Sequence, residues 1–460
     1  MGIRKISLLA LISMIVVSID NVRNLPSIAI YGDQIFQLYL ILGFCFFIPC
    51  GLATMMFALS YPNAQGGVYD WVAKAFGYRV GFIAIWLQWI ENVVWFPSIV
   101  SFIVAALAHI IGFAITPLSL TILVPVVFWI CTWLNLKGIE LTAKISEICT
   151  LFGLLLPMLI LILFAAYWLQ SGNPIYNKQV FSGLIRFHNL QQLDFSAIGM
   201  MALSLAGIEI TAVHISNIEK PQRTYPIAIT IAMIIIVTTL ILGSLSILVL
   251  IPIKEVNFVD SILQIFNHFL AHFKLQALEP IFALFIMLGS LGGLTNWVIA
   301  PIRGLLVSAN DGFLPSALRK VNRKLMPSTM LIIQAIIVTI LSLSFLIFDT
   351  INQSYWLLTI VPAGLYLMMY VLMFAAYLKL YVSKEIHQFQ WPIVNHLFAF
   401  INLIGFIFSI FACATILMPP ELVFGNISHK TYFIGISATM LAAFLPALIF
   451  IHYHHAHTRS

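Results

Sequence analysis

The chain has 460 residues, 62% hydrophobic and only 8% charged, with a mean hydropathy of +1.04 and a formal net charge of +6. A soluble globular domain carries about a quarter charged residues, so this composition excludes an ordinary water-facing surface and points to a polytopic membrane protein whose partner is the lipid bilayer. The basic residues follow loop topology instead of one face, which excludes nucleic acid as a partner.

A hydrocarbon core of about 30 Å takes about 20 apolar residues per helix. On that measure twelve spans are predicted, at 6–30, 36–60, 80–110, 118–136, 142–169, 194–218, 226–251, 278–308, 329–348, 354–381, 392–418 and 431–453. The stretch 257–274 is amphipathic and too polar to span, and is predicted to lie along the outer surface. No stretch leaves room for a soluble domain. The start MGIRKISLLALISMIVV lacks a small-residue cleavage site and reads as an uncleaved first span.

The first span, LLALISMIVVSIDNVRNLPSIAIYG, carries Asp20, Asn21, Arg23 and Asn24 ahead of Pro26. A helix starting at Ile6 reaches Asp20 after about 21 Å at 1.5 Å per residue, so these groups fall beyond mid-membrane. The third span, with WIENVVWFP, sets Glu91 and Asn92 between Trp89 and Trp95. The sixth span enters from the opposite face near Asp194. Its polar cluster Ser204-Leu-Ala-Gly207-Ile-Glu209 also comes after about 21 Å of helix. The eighth, GSLGGLTNWVIAPIRG, combines glycines with Ser290, Thr295, Asn296 and Trp297; small residues allow close helix approach.

Two spans, five apart and oppositely oriented, are thus interrupted at matching depths, the pattern of a five-plus-five inverted repeat. The first repeat is expected over 6–169, the second over 194–381, and two appended helices over 392–453. Irregular backbone is tolerated at that depth only where it lines a cavity or is buried in protein. Broken helices present free N–H groups to a carboxylate and free C=O groups to a cation. A zwitterionic amino acid suits both ends.

Loop charges set the orientation. With the N-terminus inside, sixteen of the 22 Lys and Arg fall on the inner side, five on the outer (Lys178, Arg186, Lys254, Lys274, Lys430), and Arg23 alone within the membrane. Both termini are therefore expected in the cytoplasm, and the basic run LRKVNRK (318–324) reads as a positive-inside determinant. The five cysteines lie in apolar runs without a C-x-x-C, which argues against a disulfide framework or a metal knuckle.

Arg23 reads two ways: it holds a substrate carboxylate in a bidentate pair, or it pairs with Asp20 and locks the first break. Glu209, flanked by apolar residues and glycine, is expected to gain and lose a proton during transport; the alternative is a permanently hydrogen-bonded structural carboxyl. Glu91 faces the bundle, or else the third span sits further out. His214 reads as an interior histidine, and the C-terminal HYHHAH as a solvated tail. Of Trp89, Trp95 and Trp297, the last is expected to line the site.

Three stretches together carry a resemblance: PNAQGGVYDWVAKAFGYRVGF (62–82), SLAGIEITAVHISNIEKPQRTYPIA (204–228) and GSLGGLTNWVIAPIRGLLVSANDGFLP (289–315). The chain resembles the amino acid–polyamine–organocation superfamily of transporters, and within it most closely the bacterial glutamate/GABA antiporter branch. The resemblance covers nearly the whole chain. It implies an all-α, twelve-span, leucine-transporter-like fold and a central site between the first, third, sixth, eighth and tenth spans. It also implies gating or proton coupling at Glu209 within Gly207-Ile208-Glu209, and substrate contact at Asn92. The sequence departs from the pattern in three places. Asn21-Val-Arg23-Asn24-Leu-Pro26 stands where many members carry Gly-Ser-Gly, Leu203 where some exchangers carry a tryptophan, and Gly153 where some proton-coupled members carry a lysine.

The expectation is a multi-pass transporter of the cytoplasmic membrane that moves an amino acid or close derivative by alternating access, as an antiporter or a proton-coupled symporter. Its substrate contacts are expected at Asn21, Arg23, Asn24, Asn92, Ser204, Gly207, Asn296 and Trp297, and its coupling or gating groups are Glu209, Asp20 and Glu91. Sodium coupling through Ser290 and Thr295 is a variant. The rival reading is a membrane nutrient sensor on a transporter scaffold. With no nucleophile–base pair and no metal-ligand spacing, no catalytic residue, metal or cofactor is expected. The sequence carries no signal of oligomeric state.

Overall fold

The computed structural model describes residues 6–458 apart from 65, 139–152, 154, 184–191, 219, 325, 387–390 and 426. The early part of the expected fifth span, with Lys144 and Cys149, lies outside the described residues, as do Arg186 and the side chains of His214 and Asn296.

In hydrocarbon every backbone polar group must be satisfied within the chain, which favours helices. The labelled elements are α1 (Leu8–Ile19), α2 (Leu25–Ala29), α3 (Gly32–Ser60), α4 (Val68–Phe76), α5 (Tyr78–Ile111), α6 (Pro117–Leu136), α7 (Leu156–Gln170), α8 (Ser196–Leu203), α9 (Pro221–Leu250), α10 (Ser261–His272), α11 (Glu279–Asn310), α12 (Ser328–Leu341), α13 (Ile351–Val382), α14 (Pro392–Thr415) and α15 (His429–Thr458). Among the described residues, ten helices are long and apolar enough to cross a membrane. Two shorter apolar helices, Leu156–Gln170 and Ser196–Ala212, fall in the predicted fifth and sixth spans.

Helix starts follow local chemistry. Pro117, Pro221 and Pro392 each open a helix, where a missing N–H costs nothing. Thr116 and Ser119 form a reciprocal capping box ahead of α6. Within α3 the ladder widens to a π-turn at Gly43–Phe47, directly before Pro49, whose nitrogen has no hydrogen to donate. The predicted surface helix is α10, which buries Ile262, Leu263, Ile265, Phe266 and Leu270 on one face.

The core forms around α5 and α13, each 78% buried over its most apolar stretch, whereas α6 and α14 are 28% buried and α15 17%. α5 packs along both α11 and α13, and α1 runs beside α9. The poorly buried helices show large apolar side chains such as Ile122, Trp133, Ile407, Leu441 and Ile449, a surface suited to lipid. The two interrupted segments pack against each other, and a parallel bridge joins Ile6 to Ile218.

Candidate functional site

The first interruption spans Asp20 to Pro26. Asp20 (φ −76°, ψ 135°) and Asn21 (φ −156°, ψ 131°) leave α1 in extended conformation. Asn21 Oδ1 then accepts from the Arg23 N–H at 3.1 Å, a local turn typical of asparagine. A 3-10 turn over Val22–Asn24 follows, and Pro26 occupies the first turn of α2.

This geometry decides against one of the two readings of Arg23, its pairing with Asp20. Asp20 and Arg23 are neighbours at i and i+3 only on a continuous helix, and here the helix stops between them. The Thr239 hydroxyl of α9 donates to Asp20 Oδ2 at 2.6 Å. An Arg23 terminal nitrogen donates to the Tyr355 hydroxyl of α13 at 3.3 Å, and the guanidinium carbon sits 4.3 Å from the Trp95 ring centroid of α5. Among the described residues, no carboxylate lies within ion-pair distance of Arg23. Arg23 Nε and Asp20 Oδ1 are both buried without a hydrogen-bond partner.

The second interruption follows α8. Ser204 donates to the Met201 carbonyl at 2.6 Å and lies 3.2 Å from the Tyr39 hydroxyl. Gly207 takes φ +113°, and a Cβ added there would approach Trp297 Cζ2 at 2.8 Å. Only glycine meets both conditions cheaply. The Gly207 N–H donates to the Tyr370 hydroxyl at 2.9 Å, which in turn donates to Glu209 Oε2 at 2.6 Å. Gln88 Nε2 donates to Glu209 Oε1 at 2.9 Å, and the Tyr366 hydroxyl donates to the same oxygen.

Between the two interruptions lies a narrow cavity, partly open to solvent. Asp20, Asn21, Arg23, Asn24, Glu91, Asn92, Ser204 and Trp297 all line it, along with Trp95, Leu203, Thr359 and Tyr366. Trp297 Nε1 donates to the Ser18 carbonyl at 3.0 Å, and its ring meets Trp95 and Tyr366 edge-on at 5.9 and 6.4 Å. Asn92 Nδ2 donates to the Gln88 carbonyl at 2.8 Å and to the Glu91 carboxylate, while its Oδ1 is buried without a partner.

Other expected residues stand apart. Glu209 is buried one side chain behind the wall, reached through Tyr366. Gly207 touches the site through Trp297. Thr295 donates to the Gly292 carbonyl and Ser290 Oγ has no partner, but neither lines the cavity. Trp89 turns away to Gln334 at 3.0 Å. At Gly153 a Cβ would fall on the Gly289 backbone, so this helix contact has no room for a side chain.

Sequence reading missed Gln88, Thr239, Tyr355, Tyr366 and Tyr370. Tyr366 and Tyr370 are four apart and share a helix face, a signal available in the sequence. Thr239 and Tyr355 offer none, since each is one of several polar residues in a long apolar helix and nothing in the spacing singles it out.

The cavity therefore combines one unneutralised guanidinium, two carboxylates and aromatic walls, which suits a small molecule bearing both a carboxylate and an amine. A sequence profile described as amino acid permease matches residues 6–443. The chain is 35% identical over 457 residues to an uncharacterized transporter of Legionella pneumophila, covering 96% of each chain. It is 29% identical over 467 residues to a glutamate/gamma-aminobutyrate antiporter of Lactococcus lactis, covering 98% of this chain and 91% of that one. A probable agmatine/putrescine antiporter of the same species is 24% identical over 322 residues, covering 69% of this chain and 67% of the other.

Proposed function

The chain belongs to the amino acid permease family of the amino acid–polyamine–organocation superfamily, and from that premise we propose that it exchanges amino acids or close derivatives across the cytoplasmic membrane, with the substrate carboxylate held by Arg23. One observation carries the reading: a guanidinium 3% exposed, lining a central cavity, with no acidic partner among the described residues. An arginine at mid-membrane costs about 2.5–3.5 kcal/mol even on the mildest scale. A carboxylate arriving as cargo offsets that cost through charge-assisted bonds, and its departure restores the demand. Trp95 holds the guanidinium face meanwhile.

In this reading the two interrupted spans are the equivalent centres of a five-plus-five repeat, with two appended helices and both termini cytoplasmic. Alternating access comes from rocking one repeat against the other around the cavity. Glu209 is the coupling acid: Tyr366 both lines the cavity and donates to it, so a change of charge on Glu209 is felt at the substrate. Exchange is favoured over symport because relatives named as antiporters match over most of both chains.

Counterflow in proteoliposomes tests the proposal. Vesicles loaded in turn with each common amino acid and amine should accumulate one labelled amino acid selectively, and Arg23→Ala should abolish this in folded protein. Failure of every compound in folded, inserted protein contradicts it.

A further inference from the structure

We propose that Asp20 is the amine anchor of the cavity, so that the first interruption alone recognises both charged ends of a zwitterion; this rests on the reading above. The remaining acid in the cavity, Glu91, already accepts from the Asn92 amide, and neither of its oxygens is buried without a partner. Asp20 differs. It is 1% exposed and lines the cavity, its Oδ2 is fixed by Thr239 at 2.6 Å, and its Oδ1 is buried without a well-formed hydrogen bond, the Asn21 N–H being a backbone donor near the carboxylate.

A buried acceptor left unmade is costly, the more so on a charged group. The nearby hydroxyls are already engaged: Tyr39 and Ser204 face each other at 3.2 Å, and Ser204 donates to Met201. An ammonium group supplies what Oδ1 lacks, three donors and a positive charge. Arg23 Nε is the matching orphan donor three residues on. Because the helix stops between them, the two side chains are fixed by different helices, Asp20 by α9 and Arg23 by α13 and α5. They therefore do not neutralise each other, and each keeps a free valence for the ligand. The substrate class is a molecule with both amine and carboxylate; a des-amino acid leaves Asp20 unanswered, and a diamine leaves Arg23 unanswered.

The test deletes the amine from the ligand and the carboxylate from the protein, separately and together, since a shortfall from additivity measures their direct contact. Purified protein in detergent or nanodiscs would be titrated with glutamate against glutarate, and with GABA against butyrate, in wild type, Asp20→Asn, Thr239→Val and Arg23→Ala. The wild type should prefer the amine-bearing member of a pair by at least about tenfold, the discrimination given by one charge-assisted bond. Asp20→Asn should collapse that ratio to near one by weakening only the amine-bearing ligand. Thr239→Val, which leaves the carboxylate in place but frees Oδ2, should lower the ratio part of the way; it also serves if Asp20→Asn does not fold.

A folded Asp20→Asn or Thr239→Val protein that keeps the full ratio overturns the proposal. So does loss of a sodium dependence with the ratio unchanged, which would make Asp20 a cation ligand instead, and so does a wild type that binds none of the four compounds. Arg23→Ala reports separately: if it leaves both members of a pair unaffected, the carboxylate reading fails while the amine ratio still judges Asp20.

Discussion

Two charged clusters of the described structure each set one cation among two carboxylates, and they differ in whether their polar atoms find partners. At the Ile111 end of α5, His109 Nε2 lies 2.7 Å from Asp260 and Nδ1 3.0 Å from Glu279, tying α5 to α10 and α11. Gln264 donates to Asp260 at 2.7 Å and Asn267 to Glu279 at 3.0 Å. An imidazole that donates from both nitrogens is the cation, so every member of this cluster has a partner. In the central cavity, Arg23 and Asp20 are more deeply buried, and each keeps an atom with none. A satisfied cluster fixes three elements together. An unsatisfied one is held at a cost, which in the proposed reading a ligand offsets.

The comparison can be broken or sharpened by substitution. Gly207→Ala should have the largest effect, because a methyl group at φ +113° would meet Trp297 at 2.8 Å and disturb the N–H that anchors Tyr370. Transport should fall below detection, with folding followed by size-exclusion profile. Arg23→Ala should weaken carboxylate-bearing substrates by about 10- to 150-fold, from the 1.5–3 kcal/mol typical of a hydrogen bond to a charged group. Radioligand binding measures it, and an effect below threefold would make Arg23 no more important than the rim.

Glu209→Gln should flatten the pH dependence of uptake while keeping substrate binding within a few-fold, since the Gln carbonyl can still accept from Tyr366 and its NH2 can donate to the Tyr370 hydroxyl, but the amide cannot titrate. Unchanged pH dependence removes Glu209 from coupling. His109→Gln should be mildest: Gln can still bond one carboxylate, and partly exposed pairs contribute about 0–1 kcal/mol. A melting temperature lowered by about 2 °C with unchanged transport supports a purely structural rim; a lost substrate specificity there would contradict the contrast.

Much of the architecture was legible because the apolar runs match the thickness of a bilayer. The interruptions were legible too: Asp20, Asn21, Arg23 and Asn24 stand out in an apolar run, and so do Gly207 and Glu209. The partners of these residues were not. Glu209 is satisfied by Gln88, 121 positions earlier, and by Tyr366 and Tyr370, 157 and 161 positions later. Tyrosine in an apolar helix reads equally as an interfacial anchor, so its role depends on helix rotation, which tertiary packing sets. The alternative of an Arg23–Asp20 pair failed for a local reason. Spacing of three implies contact only while the helix continues, and Asp20 and Asn21 are extended.

The most direct test of the central claim compares a substrate with its uncharged amide. Purified wild type and Arg23→Ala would be titrated with the amino acid that the wild type accumulates and with the uncharged amide of its carboxylate. The account predicts that the wild type favours the carboxylate by more than about tenfold and that Arg23→Ala treats the two alike. A folded Arg23→Ala protein that still discriminates between them would contradict it.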